Sequence, residues 1–260
     1  MPLAQLEDVR IQYELAGPSN SPVLMFSNSL GATLSMWDPQ IRALQKQFRT
    51  LRYDTRGHGR SSVTPGPYSI EQLARDVLAL LDDLHLARVH FCGLSMGGQT
   101  GMWLALNAPA RLNKLILCNT AAKIGTAEMW SSRIEAVRQG GMKSVSTAVM
   151  ERWFSARYRV SSPDVVASTK LMLEGANPDG YIANCAAVRD FDVRETVATI
   201  RVPTLVIAGT HDAATTPADG RYLAGQIAGA RYVELDTAHL SNIEDHARFG
   251  SEVSSFLLSQ

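Results

Sequence analysis

Cysteine is scarce in this sequence: Cys92, Cys118 and Cys185 are the only three in 260 residues. Three widely spaced thiols make neither a disulfide framework nor a Cys-rich metal site, and an odd, sparse count suits a reducing compartment. Excess charge of either sign is also missing, since 25 Lys and Arg balance 25 Asp and Glu. The chain as a whole therefore has no cationic field to draw nucleic acid or an anionic membrane. No run of 18 apolar residues exists, so no membrane span is expected. The first eight residues turn acidic without a basic or apolar leader, and the expectation is a cytoplasmic protein. No His-x-x-x-His pair, close cysteine pair or carboxylate cluster calls for a metal. Gly57-His58-Gly59 follows a strand pattern, but Ser62 stands where a dinucleotide loop needs its third glycine, and no nucleotide cofactor is expected.

What is present suits one globular core. Hydrophobic residues make up 45% of the chain and charged residues 19%. A chain this long buries roughly 70–75% of its unfolded surface and needs no covalent staple. Residues 9–15, 23–26, 50–54, 89–92, 112–118, 205–208 and 232–235 read as strands. Helical spacing appears at 41–48, 70–84, 96–106 and 248–258. In the second of these, Ile70, Leu73, Ala74, Val77, Leu78, Leu81 and Leu84 fall on one face, and Ser69 with Gln72 suits its start. Strands alternating with helices predict an α/β fold with a mostly parallel sheet covered on both faces. One stretch breaks the rhythm. Residues 129–139, 145–154, 163–174 and 181–188 read as four helices with no strand among them. That is too long for one crossover. The expected division is a core of residues 1–122 and 191–260 carrying an inserted α-helical cap, 123–190.

Gly93-Leu94-Ser95-Met96-Gly97 follows the strand at 89–92 and opens a helix. In that setting Gly-x-Ser-x-Gly marks a nucleophile elbow: the chain turns so sharply at the serine that side chains at the two glycine positions would collide. A serine hydroxyl needs a base, and the base needs an orienting acid. Asp212 follows the strand at 205–208, and His239 follows the strand at 232–235. Both would then sit beside Ser95, in the order Ser, Asp, His. Asp236, Asp190 and Asp192 are competing acids. His85, His90, His211 and His246 are placed less well, being respectively at a helix end, mid-strand, in the acid's own loop and at the start of the last helix. The loop Phe26-Ser27-Asn28-Ser29-Leu30-Gly31 follows another strand. Acyl transfer builds charge on a carbonyl oxygen, and two backbone N–H groups are expected to receive it, those of Leu30 and Met96. The small Ser29 lets the backbone come close. The turn at Asp54–Ser61 is expected to brace both loops.

Together these residues resemble the α/β-hydrolase superfamily with a helical cap, over essentially the whole chain. Asp54-x-Arg56-Gly57-His58-Gly59-x-Ser61 is similar to a hallmark loop of that superfamily. Phe91-Cys92-Gly93-Leu94-Ser95-Met96-Gly97-Gly98, the 26–31 loop and Asn119-Thr120-Ala121-Ala122-Lys123-Ile124-Gly125 resemble the 3-oxoadipate enol-lactonases of bacterial aromatic catabolism. Many relatives carry His-Gly where this chain has Asn28-Ser29, a departure that fits the lactonase subgroup. The resemblance implies a triad of Ser95, Asp212 and His239, no cofactor, and a small lactone substrate bearing a carboxylate. It also implies a group that holds this carboxylate. The cap offers Arg133, Arg138, Arg152, Arg157 and Arg159. Trp130 and Arg133 share a helix face, so an indole over the ring and a guanidinium on the carboxylate form one candidate pair. Against it stands the plainer expectation of a Trp130 in the cap's core and a solvated Arg133. Another carboxylesterase, a perhydrolase-like enzyme and a non-catalytic ligand receptor also remain open.

Overall fold

The computed structural model describes residues 2–259. The chain opens with strands β1 (Leu3–Gln5), β2 (Arg10–Ala16) and β3 (Val23–Ser27), helix α1 (Asp38–Leu44) and strand β4 (Arg49–Tyr53). Then come α2 (Ile70–Asp83), β5 (Val89–Leu94), α3 (Met96–Asn107) and β6 (Leu112–Cys118). Five helices follow: α4 (Ala127–Gly140), α5 (Lys143–Trp153), α6 (Ala156–Ser161), α7 (Pro163–Glu174) and α8 (Pro178–Asp190). The chain returns to the sheet with β7 (Thr204–Gly209), α9 (Pro217–Gln226) and β8 (Arg231–Leu235), and ends in α10 (Ser241–Glu244) and α11 (His246–Leu258).

The sheet has eight strands in the order β1-β2-β4-β3-β5-β6-β7-β8. Only the β1–β2 and β2–β4 pairings are antiparallel. From β4 onward every pairing is parallel. Every residue of β3, β5 and β7 is buried, which is why these strands read as continuous apolar runs rather than alternating ones. Lys114 and Leu115 are neighbours on β6 and so point to opposite faces. A Cβ on Gly101 of α3 would meet Leu115, whereas Lys114 Nζ donates to carbonyls at the end of α11. Helices therefore cover both faces.

The amphipathic reading of α2 holds for Ile70, Leu73, Ala74, Val77 and Leu81, which are buried; Leu80 is buried too, Leu78 and Leu84 are half-buried, and Ser69 accepts from Gln72 N–H. Other details differ from expectation. The first helix starts at Asp38, because Pro39 suits a first turn, and it ends at Leu44 rather than reaching Phe48. Phe48 instead turns into the core just before β4. Between β6 and β7 there are five helices, not four; the extra one is α6, capped by Ser155. β1, α9 and α10 were not anticipated either. No helix among the described residues is long and apolar enough to cross a membrane.

Parallel register brings the C-terminal ends of five strands into line. Ser27 pairs with Gly93, Leu94 with Cys118, Cys118 with Ile207, and Gly209 with Leu235. The loops that leave this edge carry Leu30, Ser95, Asn119, Asp212 and His239. The edge of an open parallel sheet is where ligands bind in such folds.

Candidate active site

The turn after β5 is as sharp as its glycines suggest. Ser95 has φ +58° and ψ −115°, a conformation that L-residues rarely adopt. A Cβ on Gly93 would lie 2.1 Å from Gly97 O, and one on Gly97 would lie 2.2 Å from Ser27 O. The strained residue is over-determined by its neighbours. Ser95 N–H donates to Cys118 O at 2.9 Å, Thr120 Oγ1 donates to Ser95 O at 2.8 Å, and Gly97 N–H donates to Asn28 O at 3.0 Å.

His239 Nδ1 lies 2.8 Å from Asp212 Oδ2, and both residues are buried. Asp212 also accepts from Ala214 N–H at 2.8 Å, Thr215 N–H at 3.0 Å, Thr215 Oγ1 at 2.8 Å and Asn119 Nδ2 at 3.0 Å. Burial alone would raise its pKa. The adjacent His239 and these donors outweigh burial and hold the carboxyl below its ordinary range. The competing acids are engaged elsewhere. Asp236 is exposed and pairs with His211 Nε2 at 2.6 Å and Arg157 at 2.9 Å. Asp190 pairs with Arg189, and Asp192 with Arg194 and Lys123.

The Asn28 side chain fixes the loop after β3 at both ends. Its Nδ2 donates to Tyr53 O at 2.8 Å, and its Oδ1 accepts from Trp37 Nε1 at 2.9 Å. Neither Leu30 N–H nor Met96 N–H has an acceptor among the described residues. Ser29, Leu30, Ser95 and His239 line one cavity of about 180 Å³, roofed by Trp130, Arg133, Val149, Arg152, Trp153 and Tyr181. No group of three or more His, Cys, Asp or Glu among the described residues is placed to hold a metal.

A family model for the α/β hydrolase fold matches residues 22–246. The chain belongs to the α/β-hydrolase fold family. It is 42% identical over 251 residues to 3-oxoadipate enol-lactonase 2 of Acinetobacter baylyi, with 96% of this chain and 94% of that one covered. Identity to 3-oxoadipate enol-lactonase 1 of the same organism is 39% over 249 residues, covering 96% and 93%. Among solved structures, the enol-lactonase from Burkholderia xenovorans LB400 matches with a TM-score of 0.98 at 49% identity, covering 99% of this chain and 100% of that one.

Within this hydrolase the six arginines of the inserted helices separate by their partners, Arg189 being held by Asp190. Arg138 pairs with Glu135, Arg157 with Asp236, and Arg159 donates to the carbonyls of Glu151 and Phe154. Arg133 and Arg152 line the cavity and have no carboxylate partner among the described residues. Trp130 is buried and its Nε1 donates to Ile124 O at 2.6 Å, so it packs in the helical core and faces the cavity at once. The Arg133 guanidinium sits over its ring, 4.8 Å from the centroid. Burial and the neighbouring Arg133 charge weaken the hold of Arg152 on its proton. Sequence reasoning gave no weight to Arg152 over the other arginines; it named Asn119 only as part of the 119–125 segment, without a role at Asp212, and it missed Thr215. The one local sequence signal for Asn119 is an asparagine directly after a strand pattern, a residue that tolerates the left-handed φ of +44° found there better than most.

Proposed function

We propose that this α/β hydrolase opens 3-oxoadipate enol-lactone to 3-oxoadipate, a step of the β-ketoadipate route of aromatic catabolism. One observation carries the reading: the cavity that holds Ser95 and His239 also holds two guanidiniums without carboxylate partners, in a chain 42% identical to an enol-lactonase. Two unpaired charges in a half-closed cavity are costly unless a ligand anion meets them. A lactone with a carboxymethyl arm supplies that anion.

Ser95 acts as nucleophile, His239 as general base and Asp212 as its orienting acid. Asp212 accepts the Nδ1 proton, which leaves Nε2 to take the proton of Ser95 Oγ as it attacks the lactone carbonyl. Charge moves to the carbonyl oxygen, where the N–H groups of Leu30 and Met96 receive it. The ring C–O bond breaks, and the departing enol takes the proton from His239 and tautomerises to a ketone. An enolate leaves more easily than an alkoxide, so the demand on His239 as acid is modest. His239 then takes a proton from a water, which attacks the acyl-enzyme; the acyl C–Oγ bond breaks, and His239 returns the proton to Ser95 Oγ as the product leaves. Arg133 and Arg152 hold the carboxylate that never reacts, and Trp130 covers the ring. In this reading residues 123–190 form a cap that selects the substrate over a catalytic core of 1–122 and 191–260.

The deciding experiment compares hydrolysis of the muconolactone-derived enol-lactone with that of neutral esters of similar size. A higher kcat/KM on the enol-lactone is expected, together with a loss of several orders of magnitude in folded Ser95→Ala. A preference for neutral esters would make the protein a general carboxylesterase, and turnover of neither would make it a receptor.

A further inference from the structure

The direction of the Leu30 N–H depends on the turn that carries it. Ala32 N–H donates to Ser29 O at 3.1 Å and closes a four-residue turn. Gly31, third in that turn, has φ +84°, whereas Leu30 is not among the residues with positive φ. These features define a type II turn. Types I and II differ by a flip of the central peptide, here the unit joining Leu30 to Gly31. The flip would reverse the Gly31 N–H and the Leu30 carbonyl and change ψ of Leu30, while the Ser29–Leu30 peptide that carries the Leu30 N–H is held through its attachment to this turn.

That N–H is held. It donates to His58 Nε2 at 2.7 Å. His58 is buried, and its Nδ1 lies 3.4 Å from Arg56 O. An accepting Nε2 requires the ring proton on Nδ1, facing that carbonyl. Asn184 of α8 lies beside the same nitrogen, its Nδ2 3.3 Å from His58 Nδ1 and donating its two protons to Arg56 O and Gly180 O at 2.8 Å each. From above, a Cβ on Gly31 would meet Leu173 at 2.5 Å and Tyr181 at 3.0 Å, so the turn has no room to rearrange on that side. His58 itself does not line the cavity.

We propose that His58 is a positioning residue for oxyanion stabilisation: by accepting the Gly31 N–H it anchors the 29–32 turn one residue after Leu30 and so holds in place the adjoining peptide that carries the Leu30 N–H. The proposal rests on the reading of Ser95 as nucleophile. Burial pushes the His58 imidazole down to about 4, which keeps the ring a neutral acceptor near pH 7. Two other charged residues of its turn are occupied, and the third, Arg60, is exposed. Asp54 accepts from Leu34 and Arg60 N–H, and Arg56 pairs with Asp76 and Asp8. His58 is thus the member of the Asp54–Ser61 turn that reaches the loop beside the nucleophile.

The test compares His58→Gln, which keeps an acceptor near the place of Nε2, with His58→Asn, which is polar but stops short of Gly31. Each is measured for kcat and KM on a chromogenic aryl ester, and for inhibition by phenylboronic acid, which forms a tetrahedral anion on the serine. The Gln variant should keep kcat within about tenfold. The Asn variant should lose about 10²-fold in kcat with KM nearly unchanged, and its boronate affinity should fall in parallel, as removal of an oxyanion donor does. Equal kcat in the two variants, a loss confined to KM, or unchanged boronate affinity would overturn the proposal. Nitrogen NMR of the wild-type protein gives a reading independent of how the variants fold: the neutral His58 ring should carry its proton on Nδ1, and a proton on Nε2 would overturn the proposal. Ser95→Ala in the same assays separates the two claims. Residual ester turnover there would remove the nucleophile, whereas an inert Ser95→Ala beside a fully active His58→Asn would remove only the role of His58.

Discussion

Asp212 and Asp236 lie on either side of the last strand, and their surroundings give them different work. Asp212 is buried under five donors, one of them His239, while Asp236 lies in solvent between His211 and Arg157. Asp212→Asn should lower kcat by about 10³- to 10⁴-fold, because the amide favours the wrong imidazole tautomer. Asp236→Asn should leave kcat within about twofold, since exposed ion pairs contribute little. Steady-state kinetics on folded variants checks both, and a larger loss at Asp236 would reverse the assignment. Arg133→Ala should raise KM for the carboxylated lactone by roughly 10- to 100-fold, as the loss of a charge-assisted pair worth about 1.5–3 kcal/mol would. A neutral ester should barely notice the change; equal losses on both substrates would mean that Arg133 acts through its packing on Trp130. Ser95 was legible because a sharp turn demands glycines at fixed offsets. The bond from Asn119 to Asp212 was not, because a side-chain donor 93 positions away from its acceptor leaves no local pattern.

Among the elements, α8 meets the Asp54–Ser61 turn backbone to backbone. A Cβ on Gly180 would lie 2.1 Å from Gly57 O. Alanine is a better helix former than glycine by about 1 kcal/mol, so propensity alone predicts that Gly180→Ala stabilises. The close approach should win, with a net loss of about 1–3 kcal/mol as α8 is pushed off the turn. Urea unfolding measures it, and a midpoint that rises would show that the contact yields easily. The long elements were readable in advance because periodicity accumulates over many residues: α2 is 14 residues and α3 is 12. α6 at six residues and β1 at three are too short for a period to emerge. α6 is set instead by its Ser155 cap, with Tyr158 stacked on Phe154.

For the molecule as a whole, alternation of strands and helices announced a covered parallel sheet but not its order. That β3 lies between β4 and β5 depends on pairings between distant segments, which no local pattern records. Stability should depend on pH through two buried histidines. Burial pushes His58 and, with help from Lys114, His90 from 6.5 down to about 4. Between those values the unfolded chain binds more protons than the folded one, so stability should fall as pH falls. The melting temperature should drop by roughly 5 °C or more from pH 6.5 to 4.5, and His90→Gln should make the slope shallower. Asp54 and Asp76, which burial pushes up, act in the opposite sense, so the variant decides: a slope in His90→Gln as steep as in the wild type would contradict a buried neutral His90. One consequence of the unpaired Arg133 and Arg152 reaches beyond the cavity they line. In a chain of zero net charge they form a local positive well, felt by an anion over about 10 Å at 0.1 M ionic strength. Capture of an anionic lactone should therefore slow as salt rises, lowering kcat/KM but not kcat, while encounter with a neutral ester proceeds at the same rate in dilute buffer and in brine.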